Sequence, residues 1–293
     1  MKRVVALAAG EGWHVQDLHR GARSLDLEFT TASFRSLSAR LHTDEPEVEG
    51  ISGEAVRFAH GDPIVVRTMP GGTLEQVVFR MDVLHRLEAA GIRVVNRPRA
   101  LEAAIDKYLA AARMKAAGLP VPPTITCERA TRALEAYEEL GGDVVVKPIF
   151  GSEGRGILRL SSRTEAEAHF REVEAAGGVF CLQRCVKHPG HDFRILTLGN
   201  EVLCGMRRVT QEGWVTNIAQ GGRPLPLDVT PELASLALRA AVSIGAEVAG
   251  VDILPDVDGN LWVLEVNAVP GWRALAPVSG VDVAVEVLRY AVG

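Results

Sequence analysis

A chain of 293 residues, 47% of them hydrophobic, is long enough to bury more than one core. It has no apolar run of the about 18–20 residues that a membrane helix requires, so we expect no membrane partner. The formal net charge of −5 argues against a nucleic-acid partner, because such binding depends largely on neutralising phosphates. The four cysteines lack C-x-x-C spacing, which is typical of unpaired thiols in a reducing cytoplasm.

The first hundred residues alternate between strand and helix patterns. Lys2 and Arg3 precede a short apolar stretch that meets Glu11, and we interpret this stretch as a first strand rather than a secretion signal. An apolar pattern at helical spacing ends at Gly91. The predicted elements are strands at residues 4–8, 63–67 and 94–95 and helices at 13–25 and 74–90. This β-α-β order predicts a small parallel sheet.

A change of pattern near Pro98 indicates a second domain. Pro98 is expected to begin a helix that continues to about residue 115, and Thr230 with Pro231 has the residue types that begin another. Further strands are predicted at 143–147, 157–160, 248–254 and 261–267, and further helices at 130–140, 164–176 and 281–290. Boundaries near residues 97 and 181 give an N-terminal α/β domain at 1–97 and two further units at 98–180 and 181–293.

The strands at 248–254 and 261–267 form the most informative segment. Asp258-Gly259 is a strong signal for a two-residue hairpin turn. With that turn Val257 pairs with Asn260, and Asp252 lies directly opposite Glu265. Asn267, two residues beyond Glu265, lies on the same face.

Two carboxylates on one face of apolar strands repel each other unless a cation neutralises them. Carboxylate and amide oxygens suit Mg²⁺, which also keeps waters and phosphate oxygens in its shell. The sequence therefore predicts a magnesium site at Asp252, Glu265 and Asn267. The competing interpretation is that these are ordinary charges at strand ends.

A glycine-rich loop follows the strand at 143–147. That strand ends in Lys147, and Gly151-Ser152-Glu153-Gly154-Arg155-Gly156 leads into the next strand. Glycines let backbone N–H groups approach phosphate oxygens, and Lys147 can reach phosphates as a point charge. No G-x-x-x-x-G-K-[ST] loop is present, which excludes a Walker A site.

Taken together and in order, these residues resemble the ATP-grasp superfamily, and within it the RimK-type alpha-L-glutamate ligases. The similarity runs from about Pro98 to the end of the chain. The motifs that support it are Asp106-Lys107, Val146-Lys147-Pro148, the loop at 151–156, Leu182-Gln183, Asp192-Phe193-Arg194, Arg207-Arg208, Thr216-Asn217, Gly221-Gly222, Gly250-Val251-Asp252, Leu264-Glu265-Val266-Asn267 and Pro270-Gly271.

The resemblance implies an α/β and α+β fold, in which a small parallel-sheet domain is followed by two ATP-grasp subdomains that hold ATP between them. It implies that Asp252, Glu265 and Asn267 bind Mg²⁺, with Mn²⁺ as an alternative ion, and that Arg194 and Arg208 face the acyl phosphate or the carboxylate that forms it. The residues implied to hold ATP are Lys107, Lys147, Gly151, Ser152, Gly154, Gly156, Gln183, Arg184, Cys185, Val186, Asp192, Thr216 and Asn217.

Two positions depart from the family pattern. Arg184 stands where the family often has glutamate, and Val215 stands where it often has arginine. The first affects the polar contacts of the nucleotide and the second affects substrate binding. Residues 67–76 and 267–273 resemble the subgroup of glutamate ligases that act on pterin cofactors.

The implied activity is ATP-dependent ligation of a carboxylate to an amine. The amine is expected to be glutamate, and the acceptor is left open between a pterin cofactor, another small carboxylate and a protein C-terminus. The alternatives are an ATP-grasp kinase that phosphorylates an alcohol and a nucleotide-binding module without catalysis. A homo-oligomer is neither required nor excluded.

Overall fold

The computed structural model describes residues 2–40, 47–50, 55–58, 61–151, 156–210, 216, 218 and 221–293. Ser152, Gly154, Val215 and Asn217 of the sequence analysis lie outside the described residues. Three sheets organise the chain, and the predicted combination of a parallel-sheet domain with α+β units is confirmed. In the described part of the chain, no helix is long and apolar enough to cross a membrane.

The first sheet has six strands in the order β4-β3-β2-β1-β5-β6. Strand β1 pairs in parallel with β2 and β5, and β5 pairs in parallel with β6, as the β-α-β order predicted. Strands β2 to β4 add an antiparallel extension that the sequence analysis did not predict. The elements are β1 (Arg3–Ala8), α1 (Trp13–Ser24), β2 (Glu28–Ser38), β3 (Glu47–Gly50), β4 (Ala55–Arg57), β5 (Ile64–Val66), α2 (Leu74–Ala89) and β6 (Val94–Val95).

The second sheet has the order β7-β10-β8-β9, and two helices cover it. Its elements are β7 (Thr124–Cys127), α5 (Ala130–Glu139), β8 (Val144–Lys147), β9 (Leu158–Leu160), α6 (Arg163–Ala175) and β10 (Phe180–Arg184). Strand β10 lies in the middle of this sheet, between β7 and β8. The division at 1–97, 98–180 and 181–293 stays a prediction.

Two helices connect the first and second sheets, α3 (Pro98–Ile105) and α4 (Lys107–Ala116). The prediction of one continuous helix over this segment is wrong. Asp106 has an extended backbone, with φ −91° and ψ 102°, and its carboxylate accepts a hydrogen bond from the backbone N–H of Leu109 at 2.9 Å. An aspartate in this position begins a new helix, and Lys107 therefore becomes the first residue of α4.

The third sheet is antiparallel, in the order β13-β12-β11-β14-β15. Helix α7 packs against it, capped by Thr230 and ended by Gly245, whose φ is 76°. Its elements are β11 (His191–Leu198), β12 (Glu201–Val209), β13 (Arg223–Pro226), α7 (Pro231–Ile244), β14 (Val248–Pro255), β15 (Leu261–Asn267), α8 (Leu275–Ser279) and α9 (Val283–Val292).

The hairpin of β14 and β15 has the predicted pair but not the predicted turn. Asp252 lies opposite Glu265. The backbone N–H of Asp256 donates to the carbonyl of Asn260 at 2.8 Å, so the loop has three residues, 257–259, and the predicted two-residue turn is wrong. The Asp256 carboxylate accepts the backbone N–H of Asn260, which favours this longer loop. A bulge at Leu264 then shifts the register by one and restores the pairing of Asp252 with Glu265.

Asn96 ties the first sheet to the third. It follows β6 and is 2% exposed. Its amide nitrogen donates to the carbonyls of Val248 at 2.6 Å and Ala268 at 2.5 Å. Its amide oxygen accepts the backbone N–H groups of Glu247 at 2.6 Å and Val248 at 2.8 Å. All the polar groups of this buried side chain are therefore satisfied by backbone groups at the start of β14 and directly after β15.

Candidate active site

Charged side chains line one face of the third sheet where β11, β12 and β14 meet. In the register of the sheet, Asp192 lies opposite Arg208, and Arg194 lies opposite Asp252. Asp192 and Arg194 are two residues apart on β11, so they share a face. The strand pairing therefore brings together four of the residues selected from the sequence.

These four residues form a buried ion-pair network. Arg208 Nε donates to Asp192 Oδ1 at 2.7 Å, and Arg208 Nη2 lies 3.0 Å from Asp252 Oδ2. Arg194 donates to both carboxylate oxygens of Asp252, with Nη2 2.9 Å from Oδ2. Burial by itself would raise the pKa of Asp252, but Arg194 and Arg208 outweigh it and hold that pKa below its ordinary value. Burial likewise opposes the charge of Arg208, but Asp252 and Asp192 raise its pKa.

Glu265 and Asn267 complete the oxygen set beside Asp252. Both are half-buried, and Asn267 lies opposite Gly250 on β14. The Asn267 amide oxygen accepts the backbone N–H of Val269 at 2.8 Å. Glu265 has no hydrogen bond or ion pair with any described residue. A carboxylate left without a partner beside a second carboxylate and an amide oxygen fits a magnesium ion.

The set is not a conventional cluster of acids and histidines. Among the described residues no group of three or more His, Cys, Asp or Glu side chains could hold a metal ion. The candidate set reaches three ligands only through the amide oxygen of Asn267. Its assignment to Mg²⁺ stays a prediction.

Lys147 extends from the end of β8 towards the same region. Its Nζ donates to Gln183 Oε1 at 2.7 Å, and Gln183 in turn donates to Thr124 Oγ1 at 3.1 Å. Burial lowers the pKa of Lys147, while Glu265, followed by weaker contributions such as that of Asp252, acts to raise it. Lys147 therefore lies within electrostatic reach of Glu265 and Asp252, the two carboxylates of the candidate metal site.

Lys107 holds the start of the glycine-rich loop. Its Nζ donates to the carbonyl of Gly151 at 2.7 Å, and its backbone N–H donates to the carbonyl of Ile149 at 3.3 Å. Gly156, at the other end of the loop, has φ 72°, which favours glycine. Both lysines therefore frame the loop that the sequence predicts to contact phosphates.

Residues 183–186, at the end of β10, are among those that the resemblance implies to hold ATP. The backbone N–H groups of Arg184 and Cys185 donate to the carbonyls of Pro123 and Asp143, each at 2.9 Å. In the described part of the chain, the backbone N–H of Val186 has no backbone partner. The exposed Arg184 side chain lies 5.8 Å from the ring centre of Trp262. Thr216, which lies outside β10 and is also implied to hold ATP, is buried, with 7% of its surface exposed.

One group of residues near this site was not selected from the sequence. Arg67 is buried beside Trp272, and Trp272 is bound by His14 and Asp17. In the sequence, the segments at 67–76 and 267–273 stand out only as features of a subgroup. Their contact joins the first domain to the loop that follows Asn267.

The arrangement can bind a polyphosphate with a divalent cation and place a reacting carboxylate beside two arginines. Two lysines supply positive charge beside Gly151 and Gly156, the described ends of the glycine-rich loop. The oxygen ligands lie on the third sheet, and the lysines and the loop lie on the second sheet and at its edge. A site of this kind stabilises charge that develops during phosphoryl transfer.

Comparison with known proteins agrees with this chemistry. The model of the RimK-like ATP-grasp domain matches residues 104–291. The tetrahydromethanopterin:alpha-L-glutamate ligase of Methanosarcina acetivorans is 29% identical, over 99% of this chain and 98% of that protein. The enzyme of the same name from Methanococcus maripaludis is 35% identical, over 74% of this chain and 76% of that protein.

Similarity of fold extends over the whole chain. The ATP-grasp ligase PsnB, solved in complex with minimal precursor, aligns with a TM-score of 0.78 and 24% identity over 99% of this chain and 98% of that chain. At this identity the similarity shows the fold, and it confirms the ATP-grasp architecture. Together with the family match, it shows that this chain belongs to the RimK-like ATP-grasp family of ATP-dependent ligases.

Proposed function

We propose that this protein joins L-glutamate to a carboxylate acceptor, using ATP and Mg²⁺ and releasing ADP and phosphate. The observation that supports this most directly is the pairing of Asp252 with Glu265 across β14 and β15, with Asn267 on the same face. The curated relatives are named as alpha-L-glutamate ligases, which supports glutamate as the amine. Their named acceptor, tetrahydromethanopterin, makes a pterin cofactor the first acceptor to test.

The two lysines are proposed to bind the phosphates of ATP. Lys147 is half-buried, and its present partner is the neutral oxygen of Gln183. A phosphate oxygen is a stronger partner for a buried ammonium group than an amide oxygen. Lys107 would fix the loop at 151–156 over the same phosphates.

Magnesium, held by Asp252, Glu265 and Asn267, would withdraw negative charge from the phosphate oxygens.

The arginines are proposed to position the acceptor. Arg194 and Arg208 share one aspartate between them, and Arg208 has Asp192 as a second partner. They can therefore turn N–H groups towards a substrate carboxylate without losing every protein partner.

The reaction follows from that placement. An oxygen of the acceptor carboxylate attacks the γ-phosphorus of ATP, the bond to the β-phosphate oxygen breaks, and ADP leaves with an acyl phosphate formed. The glutamate nitrogen then attacks the acyl carbon, loses a proton, and phosphate leaves. The protein contributes orientation, charge and exclusion of water, and no protein nucleophile is required.

The experiment is a screen for ADP release across carboxylate acceptors with L-glutamate supplied, followed by mass analysis of the product. Tetrahydromethanopterin, small carboxylates and a peptide C-terminus are the first acceptors, with Mg²⁺ and Mn²⁺ run in parallel. A new amide of acceptor and glutamate is the expected product. Formation of a phosphate ester from an alcohol, with no amide from any carboxylate, would instead identify a kinase. The cytoplasmic location stays a prediction.

A further inference from the structure

Arg67 follows β5, at the carboxyl end of a parallel strand, where ligands commonly bind in open α/β sheets. It is 5% exposed. Its Nη2 donates to the carbonyl of Pro270 at 2.9 Å, and its guanidinium carbon lies 4.3 Å from the ring centre of Trp272. Its Nε is buried and has no hydrogen-bond partner.

Among the residues that the structure describes, the guanidinium of Arg67 has no counter-ion. A buried charge is normally paired with an opposite charge, because removing it from water is costly. No acid among the described residues forms an ion pair with Arg67, and burial lowers its pKa to about 9 with no acid acting in the opposite direction. The guanidinium nevertheless remains protonated at neutral pH.

The neighbours of Arg67 do not supply the missing charge. His14 Nε2 accepts the backbone N–H of Trp272 at 3.0 Å, which requires that nitrogen to be unprotonated. Asp17 instead accepts the indole N–H of Trp272 at 2.8 Å. The surroundings of Arg67 therefore consist of an aromatic face, a carbonyl and a neutral imidazole.

Arg67 also lies close to the ion-pair network of the active site. A Cβ atom at Gly250 would lie 3.0 Å from both Pro270 Cβ and Arg194 Nη1. The Pro270 carbonyl thus accepts a hydrogen bond from Arg67, and the Pro270 ring lies near Arg194. Pro270 therefore lies between Arg67 and Arg194, the arginine that binds Asp252.

We propose that Arg67 binds a carboxylate of the incoming amino acid, one that the reaction does not consume, and thereby selects an acidic amino acid. The inference rests on the proposed function. The activated carboxylate must lie at the phosphates, beside Arg194 and Arg208, so a partner for Arg67 has to be a second carboxylate. Glutamate, when it reacts through its nitrogen, keeps both of its carboxylates. The planar fork of an arginine can hold either one at two points.

The test compares L-glutamate with L-glutamine and L-isoglutamine, which each lack one carboxylate. The assay measures amide formation at saturating ATP and Mg²⁺, with the acceptor identified by the screen. The wild-type protein is expected to prefer L-glutamate over at least one analogue. Arg67→Gln is expected to reduce that preference by about 10- to 100-fold, through a higher KM for glutamate and an unchanged KM for ATP.

Arg80→Gln is the matched control. Arg80 is 6% exposed, and its Nη1 donates to the carbonyl of Pro70 at 2.7 Å, so it is a second buried arginine bound to a proline carbonyl. Its removal is expected to leave the preference for glutamate unchanged. Arg67→Lys keeps a charge beside Trp272 without the planar fork. If Arg67→Gln does not fold, Arg67→Lys is measured in its place, and it is expected to weaken the preference for glutamate several-fold.

Three results would overturn the inference. The wild-type protein could use all three amines equally, a result that the measurement on the wild-type protein alone would give. Arg67→Gln could slow all three amines by the same factor, as a purely structural residue would, or it could raise the KM of the acceptor instead of the KM of glutamate. Absence of amide with every acceptor would refute the proposed function and the inference with it, whereas amide formation with an unchanged preference would refute the inference alone.

Discussion

Arg194 binds Asp252 at two points across neighbouring strands, with its Nη2 2.9 Å from Asp252 Oδ2. The carboxylate is therefore neutralised by protein before any cation binds. A magnesium ion that binds here must share Asp252 with the arginines or displace them. Glu265, which has no such partner among the described residues, is the ligand that the ion can take without competition.

Asp252→Asn should weaken both the fold and the activity. It leaves the half-buried Arg194 without its counter-ion, and we expect the free energy of unfolding to fall by about 3 kcal/mol. Magnesium-dependent turnover should fall by at least about 100-fold, since a charged ligand is lost. Denaturant unfolding and ADP release measure the two effects. Asp258→Asn, in the exposed hairpin loop, should change neither.

Glu265→Gln should separate activity from stability. Because Glu265 has no hydrogen bond or ion pair with any residue that the structure describes, the free energy of unfolding should change by less than about 0.5 kcal/mol. Turnover with Mg²⁺ should nevertheless fall by about 100-fold or more. The control is Glu201→Gln, at an exposed position at the start of β12. Near-normal turnover in the Glu265 variant would contradict the metal role.

Lys147→Met should impair ATP binding in particular. Methionine fills a similar volume without the cost of burying a charge, so the fold should persist. The KM for ATP should rise by about 10-fold or more, because a charge-assisted contact to phosphate is lost. Lys115→Met, an exposed position near the end of α4, should leave the KM for ATP unchanged. An unaltered KM in the Lys147 variant would remove its assignment to the phosphates.

His14 should make stability depend on pH. Burial, followed by the charge of Arg67, lowers the pKa of His14 to about 4, while Asp17 acts in the opposite direction. In the unfolded chain histidine has a pKa of about 6.5. As pH falls from 6.5 towards 4, the unfolded chain takes up the proton first, so the stabilisation present above pH 6.5 is progressively lost.

The measurement is the free energy of unfolding of wild-type protein and His14→Gln between pH 7 and pH 4. Glutamine keeps an acceptor for the backbone N–H of Trp272 and cannot titrate in this range. The variant should lose less stability than the wild type over that interval. Parallel curves for the two proteins would show that His14 does not titrate in this way.

Asn96→Ala should loosen the connection between the first and third sheets. The substitution leaves two backbone N–H groups and two carbonyls without their buried partner. We expect a loss of about 3 kcal/mol in the free energy of unfolding, measured with denaturant. Asn200→Ala, at an exposed position in the turn between β11 and β12, should cost much less. Equal effects in both variants would show that the contacts of Asn96 contribute little.

The sequence predicted the pairing of Asp252 with Glu265 although it predicted the wrong turn. The loop has one residue more than expected on the β14 side, and the bulge at Leu264 takes up one residue on the β15 side, so the two differences cancel. Neither could be predicted from Asp258-Gly259 alone, because the loop length depends on the side-chain contacts of Asp256.

Two features were not predicted from the sequence, the helix break at Asp106 and the environment of Arg67. The break at Asp106 had a local signal, since aspartate is a strong helix cap, and it could have been predicted. The environment of Arg67 had none, because it is defined by Pro270 and Trp272, more than two hundred positions away. Local spacing therefore predicted Asp252, Glu265, Asn267 and Lys147 as site residues, but it gave no signal for Arg67.

The bulge at Leu264 gives the hairpin one residue more than its pairing needs. If Leu264 were deleted, Glu265 would follow Val263 directly and would still lie opposite Asp252, because Ile253 is already opposite Val263. Likewise, a loop shortened from three residues to two would close on the same strands without moving either carboxylate. Homologues with a hairpin shorter by one residue can therefore keep the same pair of acids, and length variation at this point is no sign that the site has been lost.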